Sequence, residues 1–149
     1  MKKFLLSAVL LLWSAVSAGA AEGVESFFFS TNGSSVDHCI SYDFDRAKMT
    51  LVWTAPNVMR EAKVSPAQYA RLCALADELG LKAWNGFHGT NPNVLDGDGF
   101  GVHIVFAGGD KVDASGYMEF PQGYRMAKNA LFSFFEGVLK GAPIKNKRY

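Results

Sequence analysis

The chain has 149 residues, of which 49% are hydrophobic and 19% are charged, and its formal net charge is +1. This length suits one domain with a single core, and it is too short for two comfortable ones. The near-neutral charge gives no general electrostatic reason to bind nucleic acid. We therefore expect one compact unit and exclude a nucleic-acid partner.

Residues 1–20 have the composition of a signal peptide. Lys2 and Lys3 precede an apolar run over 4–16, and small residues follow at Ala18–Ala20. The run is too short to cross a hydrocarbon core of roughly 30 Å as a helix. We therefore predict cleavage near Ala20 and a periplasmic or secreted protein that is not embedded in the membrane. Loss of two lysines would leave 13 basic and 14 acidic residues.

Three short segments after the signal predict antiparallel strands. Ser26–Thr31 is rich in phenylalanine, and apolar residues alternate in Cys39–Phe44 and in Lys48–Thr54. Asn32 and Gly33 form a strong turn signal because both residue types tolerate positive φ. The first part of the chain is therefore predicted to be a meander.

A helix is predicted to begin after Ser65. Ser65 can cap it, Pro66 suits the first helical position, and Gln68 completes a capping box. Gly80 can end it in the left-handed conformation. The apolar residues recur at helical spacing and should face a sheet: Tyr69, Leu72, Cys73, Ala76 and Leu79.

The second half predicts a hairpin and a last helix. Phe100–Phe106 and Lys111–Tyr117 are the two strands, and Pro121 precedes an apolar stripe at helical spacing that ends near Gly141. The predicted order is βββαββα. This order is typical of the α+β class, with two helices on a single antiparallel sheet of about five strands. Residues 21–149 are predicted to form one domain with a flexible basic tail: Lys140, Lys145, Lys147 and Arg148.

Two cysteines remain after the predicted cleavage, Cys39 and Cys73. An even number of cysteines in an exported protein is consistent with a disulfide between them. The alternative is that both are small buried apolar residues. Sequence alone does not choose between the two, because a bridge needs Cβ atoms within about 4 Å of each other.

The most distinctive segment runs from Trp84 to Phe100 and continues into the second hairpin. It contains Trp84-Asn85-Gly86-Phe87 and Val94-Leu95-Asp96-Gly97, followed by Ser115-Gly116-Tyr117 and then Pro121. This pattern resembles one in small bacterial proteins that have no assigned activity, and it covers less than a third of the chain. The resemblance implies a shared fold and no particular function.

Polar loops with large aromatics on a rigid scaffold are common binding sites. Aromatic rings would provide contact area here, and carboxylates would orient a ligand. The alternative is that the rings complete the core of a small domain. The candidate binding residues are Trp84, Phe87, His88, Asp96, Asp98, Tyr117 and Glu119.

Motifs for catalysis and for metal binding are missing from the sequence. Asn91, Asn93, Asp96 and Asp98 offer oxygen ligands, but an EF-hand would need a glutamate where Val102 stands. We therefore predict no catalytic residue, no metal site and no cofactor.

The leading hypothesis is a non-enzymatic binding or interaction module of the periplasm or cell envelope. Its partner would be an envelope component or another protein. One alternative is an envelope hydrolase that uses His88 with Asp96 or Asp98 as acid and base. Another is an inhibitor whose exposed loop plugs the active site of a foreign enzyme.

Overall fold

A computed structural model describes residues 20–33 and 38–147 of the chain. The predicted signal peptide, apart from Ala20, lies outside the described residues, and so does Arg148 of the predicted tail. Within the described ranges, no helix has both the length and the apolar character needed to span a membrane.

Eight strands form one mixed sheet in the described part of the chain. In space they follow the order β5-β7-β6-β1-β2-β3-β4-β8. Only the pair β5 and β7 is parallel among the described strands. The strands are β1 Val24–Asn32, β2 Ile40–Asp45, β3 Thr50–Ala55, β4 Val58–Lys63, β5 His88–Thr90, β6 Gly99–Phe106, β7 Lys111–Tyr117 and β8 Lys145–Asn146.

Two α-helices and one short 3₁₀ helix complete the described fold. Helix α1 spans Pro66–Glu78 between β4 and β5, and the 3₁₀ helix Leu81–Trp84 follows it. Helix α2 spans Tyr124–Val138 after β7. The capping box predicted at the start of α1 is present, because Ser65 Oγ accepts from Gln68 N and Gln68 Oε1 accepts from Ser65 N.

The predicted antiparallel sheet of about five strands is wrong. The five predicted strands are present, but β4, β5 and β8 enlarge the sheet, and β5 makes it mixed. Strand β4 was missed because it lacks a clear alternation of apolar and polar residues. It contains the charged residues Arg60, Glu61 and Lys63. Strands β5 and β8 have only three and two residues, which is too short for a periodic pattern. The α+β class itself is confirmed.

Both helices pack on the same face of the sheet. Phe135 of α2 stacks on Tyr42 of β2 with ring centroids 4.8 Å apart, and it meets Phe27 of β1 edge-on at 5.6 Å. Tyr69 of α1 stacks on Phe44 of β2 at 5.9 Å. Because side chains alternate across a strand, the buried core of the described residues lies on this face of the sheet.

The opposite face of the sheet is not covered by either helix, and we call it the open face. A row of cross-strand neighbours runs across it from Asp43 through Phe28 and His103 to Asp113. Three of these residues are polar and exposed, and Phe28 is 37% exposed. This is the solvent-facing side of a one-sided sheet.

A polar network fastens α2 to the sheet. The Tyr42 hydroxyl donates to Glu136 Oε1 at 2.9 Å, and Arg60 Nη1 donates to Glu136 Oε2 at 2.8 Å. Arg60 Nη2 also donates to the Leu139 carbonyl at 2.7 Å. Burial and, to a smaller extent, the bond to Glu136 raise the pKa of Tyr42 well above its usual value.

Cys39 and Cys73 are not bridged. Cys39 is exposed just before β2, whereas Cys73 is buried on the sheet-facing side of α1. The disulfide is therefore not formed, and the alternative of two buried thiols holds for Cys73 alone.

Candidate functional site

A groove of about 960 Å³ lies between Asp98 and the first turns of α2, and we call it the α2 groove. Its volume is near the upper end of the range usual for small-molecule sites. The groove lies on the side of the sheet that carries the helices, because α2 supplies much of its lining. The lining residues are Asp98, Phe120, Pro121, Gly123, Tyr124, Arg125, Met126, Lys128 and Asn129.

Backbone hydrogen bonds hold Asp98 at the rim of the groove. Asn91 N donates to the Tyr117 carbonyl at 2.9 Å, and Met118 N donates to the Asp98 carbonyl at 2.9 Å. The Tyr117 hydroxyl donates to the Leu95 carbonyl at 2.8 Å. The loop that precedes β6 is thus tied at three points to the end of β7.

The chain turns into α2 at Gly123, which has a φ of 78°. A residue with a side chain would be strained in this left-handed conformation. Pro121 is buried just before the turn, and its carbonyl accepts from Tyr124 N at 3.1 Å. These features set where α2 begins and therefore where its first side chains lie.

Aromatic rings form the wall of the groove. Phe120 and Tyr124 stack with ring centroids 4.5 Å apart and an interplanar angle of 15°. Phe100 lies 4.7 Å from Tyr124, and Trp84 lies 5.9 Å from it. Phe120 is 36% exposed, whereas Trp84 is only 4% exposed. Phe120 is therefore the ring that a ligand can touch, and Trp84 supports the wall from the core.

Three charged side chains line the groove. Asp98 and Arg125 are exposed, and Lys128 is half-buried with its ammonium 5.6 Å from the Phe132 ring. Within residues 20–33 and 38–147, none of the three forms an ion pair. Their charged groups are therefore available to a ligand.

Tyr124 offers a hydrogen-bond donor beside these charges. Burial, and secondarily the negative charge of Asp98, raises the pKa of Tyr124 to about 12. The phenol is therefore protonated at neutral pH. Its hydroxyl makes no hydrogen bond to any other described residue. The groove thus combines donors, an acceptor and an aromatic surface.

The structure brings only part of the predicted binding set together. Asp98 lines the groove, and Trp84 and Phe87 line a smaller adjoining pocket that shares Phe120 with it. Asp96 and Glu119 are exposed and do not line the groove, and the Tyr117 hydroxyl is occupied by the Leu95 carbonyl.

His88 lies on the open face of the sheet, away from the groove. Its Nδ1 is 2.9 Å from Ser115 Oγ, and Ser115 alternates with the buried Ala114. His88 and Asp98 therefore lie on opposite sides of the sheet. Among the residues that the structure describes, no group of three or more His, Cys, Asp or Glu side chains could hold a metal ion.

Sequence reasoning missed Arg125, Lys128 and Asn129. They lie in a helix whose apolar stripe predicts a core element. The polar positions between the apolar residues were therefore interpreted as ordinary solvent-facing positions. A signal was nevertheless present, because residues three or four apart share one face of a helix. Arg125, Lys128 and Asn129 have that spacing.

Comparison with known proteins gives no family for this chain. No protein-family model matches it, and no curated protein matches its sequence. The resemblance to small bacterial proteins therefore stays a prediction. The chemistry of the groove is therefore the basis for a functional proposal.

Proposed function

We propose that this chain is an exported, non-enzymatic binding module of the periplasm or cell envelope, and that the α2 groove is its ligand site. The observation that carries the proposal is a set of three charged side chains in one groove beside the exposed Phe120 ring, none of which forms an ion pair with another described residue. The composition of residues 1–20 supports export.

The position of Arg125 adds support, because it does not favour the helix. Arg125 lies in the first turn of α2, where a positive charge opposes the helix dipole. Gly123 provides no side-chain cap, and no acidic residue lies in that turn. The guanidinium therefore serves no evident purpose in helix stability, and ligand binding explains its place.

Replacing Arg125 by glutamine should weaken ligand binding without lowering the stability of the fold. We expect the free energy of unfolding to stay unchanged or to rise by about 0.3–1 kcal/mol at low salt, because an unfavourable charge is removed. Ligand binding should weaken at the same time. Urea unfolding followed by circular dichroism measures the first effect. A clear loss of stability would show instead that Arg125 is a structural residue.

Phe120 and Phe28 form a matched pair for testing the site, since their exposures are 36% and 37%. A Trp53→Phe background leaves Trp84 as the single tryptophan after signal cleavage, and its ring lies 5.9 Å from Tyr124. Trp84 fluorescence would be titrated with soluble fractions from digested cell envelopes. We expect a saturable change that Phe28→Ala retains and Phe120→Ala loses.

Two results would contradict the proposed function. One is the absence of any saturable change with all the envelope fractions. The other is loss of the change in Phe28→Ala with its retention in Phe120→Ala, which would place the ligand on the open face. Circular dichroism of both variants checks that each remains folded.

A further inference from the structure

We infer that the α2 groove binds an acidic saccharide, that is, a sugar ring that carries a carboxylate. This inference rests on the proposed function of the groove and adds the chemical class of its ligand. Three properties of the lining residues support it: the charge balance, the exposed ring and the mixture of donors with an acceptor.

The charge balance of the groove favours an anion. Arg125 and Lys128 supply two positive charges against the single carboxylate of Asp98, and all three lack an ion-pair partner among the described residues. A guanidinium binds a carboxylate through two parallel hydrogen bonds, and an ammonium adds a point charge. A carboxylate on the ligand would therefore be paired by groups that are already in place.

The exposed ring of Phe120 suits the apolar face of a sugar. A pyranose ring presents C–H groups on one side, and burial of that side against an aromatic ring removes apolar surface from water. Stacking on Tyr124 fixes the plane of Phe120. A ligand therefore meets a preformed surface and does not have to order it.

Sugar hydroxyls both donate and accept hydrogen bonds, and the groove provides both kinds of partner. The protonated Tyr124 hydroxyl can donate, the Asn129 amide can do both, and the Asp98 carboxylate can accept. In this arrangement the Asp98 carboxylate accepts hydrogen bonds from sugar hydroxyls and does not contact the ligand's carboxylate. A negatively charged side chain in the groove is therefore compatible with an acidic ligand.

The walls of the groove make an extended peptide a poorer fit. A common binding mode of extended peptides is the addition of a strand to a free sheet edge. Here one wall is α2 and the other is Asp98, which directly precedes β6, and β6 is paired on both sides, with β1 and with β7. No strand edge therefore borders this groove within the described part of the chain.

The test compares trigalacturonic acid with its fully methyl-esterified form. The two ligands have the same rings, length and hydroxyls, and they differ in charge. Titration of the Trp53→Phe protein should show at least about tenfold tighter binding of the acid, which weakens as salt is raised. Arg125→Gln and Lys128→Gln should each lose most of this preference. Arg71→Gln is the control, because Arg71 pairs with Glu78 on α1 and should not affect binding.

Three outcomes would overturn the inference. Equal affinities for the acid and its ester would show that the groove does not recognise the carboxylate charge of the ligand. Tighter binding of a glutamate-rich peptide than of trigalacturonic acid would assign the groove to an acidic peptide. Failure of both saccharides to bind, while an envelope fraction still changes Trp84 fluorescence, would overturn the ligand class and leave the proposed function standing. If the envelope fractions also fail, both proposals are wrong.

Discussion

Replacing Gly116 by alanine should destabilise the protein by about 3 kcal/mol or more. A Cβ at this position would lie 2.1 Å from the Glu119 carbonyl oxygen and 2.6 Å from Cε1 of Phe100. The carbonyl belongs to the backbone and cannot rotate away. Relief of the clash would displace the end of β7 and the segment that leads to Phe120, so the aromatic wall of the α2 groove should also be lost.

Gly137 provides the matched control for this substitution. It lies within α2, and a Cβ added there would have no described heavy atom within 4 Å apart from its chain neighbours and the backbone of the same helix. Gly137→Ala should stabilise the protein by about 0.4–1 kcal/mol, because alanine loses less conformational entropy in a helix. Urea unfolding measures both changes. If Gly116→Ala were as stable as the parent protein, the backbone of residue 119 could not lie as close to residue 116 as described.

Replacing Phe135 by alanine should cost roughly 3–5 kcal/mol, which is the usual cost of removing a buried phenyl ring. Phe135 is 0% exposed and contacts Phe27 of β1 and Tyr42 of β2. The substitution leaves a cavity between α2 and the middle of the sheet. The Tyr42–Glu136–Arg60 network should hold α2 in part, so a folded but weakened protein is expected.

Phe28→Ala is the control for Phe135→Ala, since Phe28 lies on the open face with 37% of its surface exposed. Its loss should cost far less, because much of its surface is already in water. Thermal and urea unfolding would compare the two variants. Equal losses would contradict the packing of α2 on only one face of the sheet.

The parts of the fold that local sequence determines could be predicted. Helix α1 begins where Ser65, Pro66 and Gln68 specify a capping box, because all of the required partners lie within four residues. The strands with clear alternation, such as β6, were likewise predictable. Strand β5 was not, because three residues carry no period and its parallel pairing with β7 joins segments far apart in sequence.

The candidate site shows the same division between local and tertiary information. Asp98 could be predicted because it lies in a polar loop beside large aromatics, and it does line the groove. Whether Trp84 faces a ligand or the core depends on tertiary packing, and the structure buries it. Arg125 and Lys128 become site residues only because α2 starts opposite Asp98, and that position follows from the turn at Gly123.

A residue-resolved amide spectrum of residues 21–149 would locate the bound ligand on the protein. It would be recorded with and without the envelope fraction that changes Trp84 fluorescence. The largest chemical-shift changes are expected at Asp98 and within residues 120–129, the segment that supplies the other lining residues of the groove. Changes centred on Phe28 and His103 of the open face, or no change at saturating ligand, would contradict the proposed ligand site.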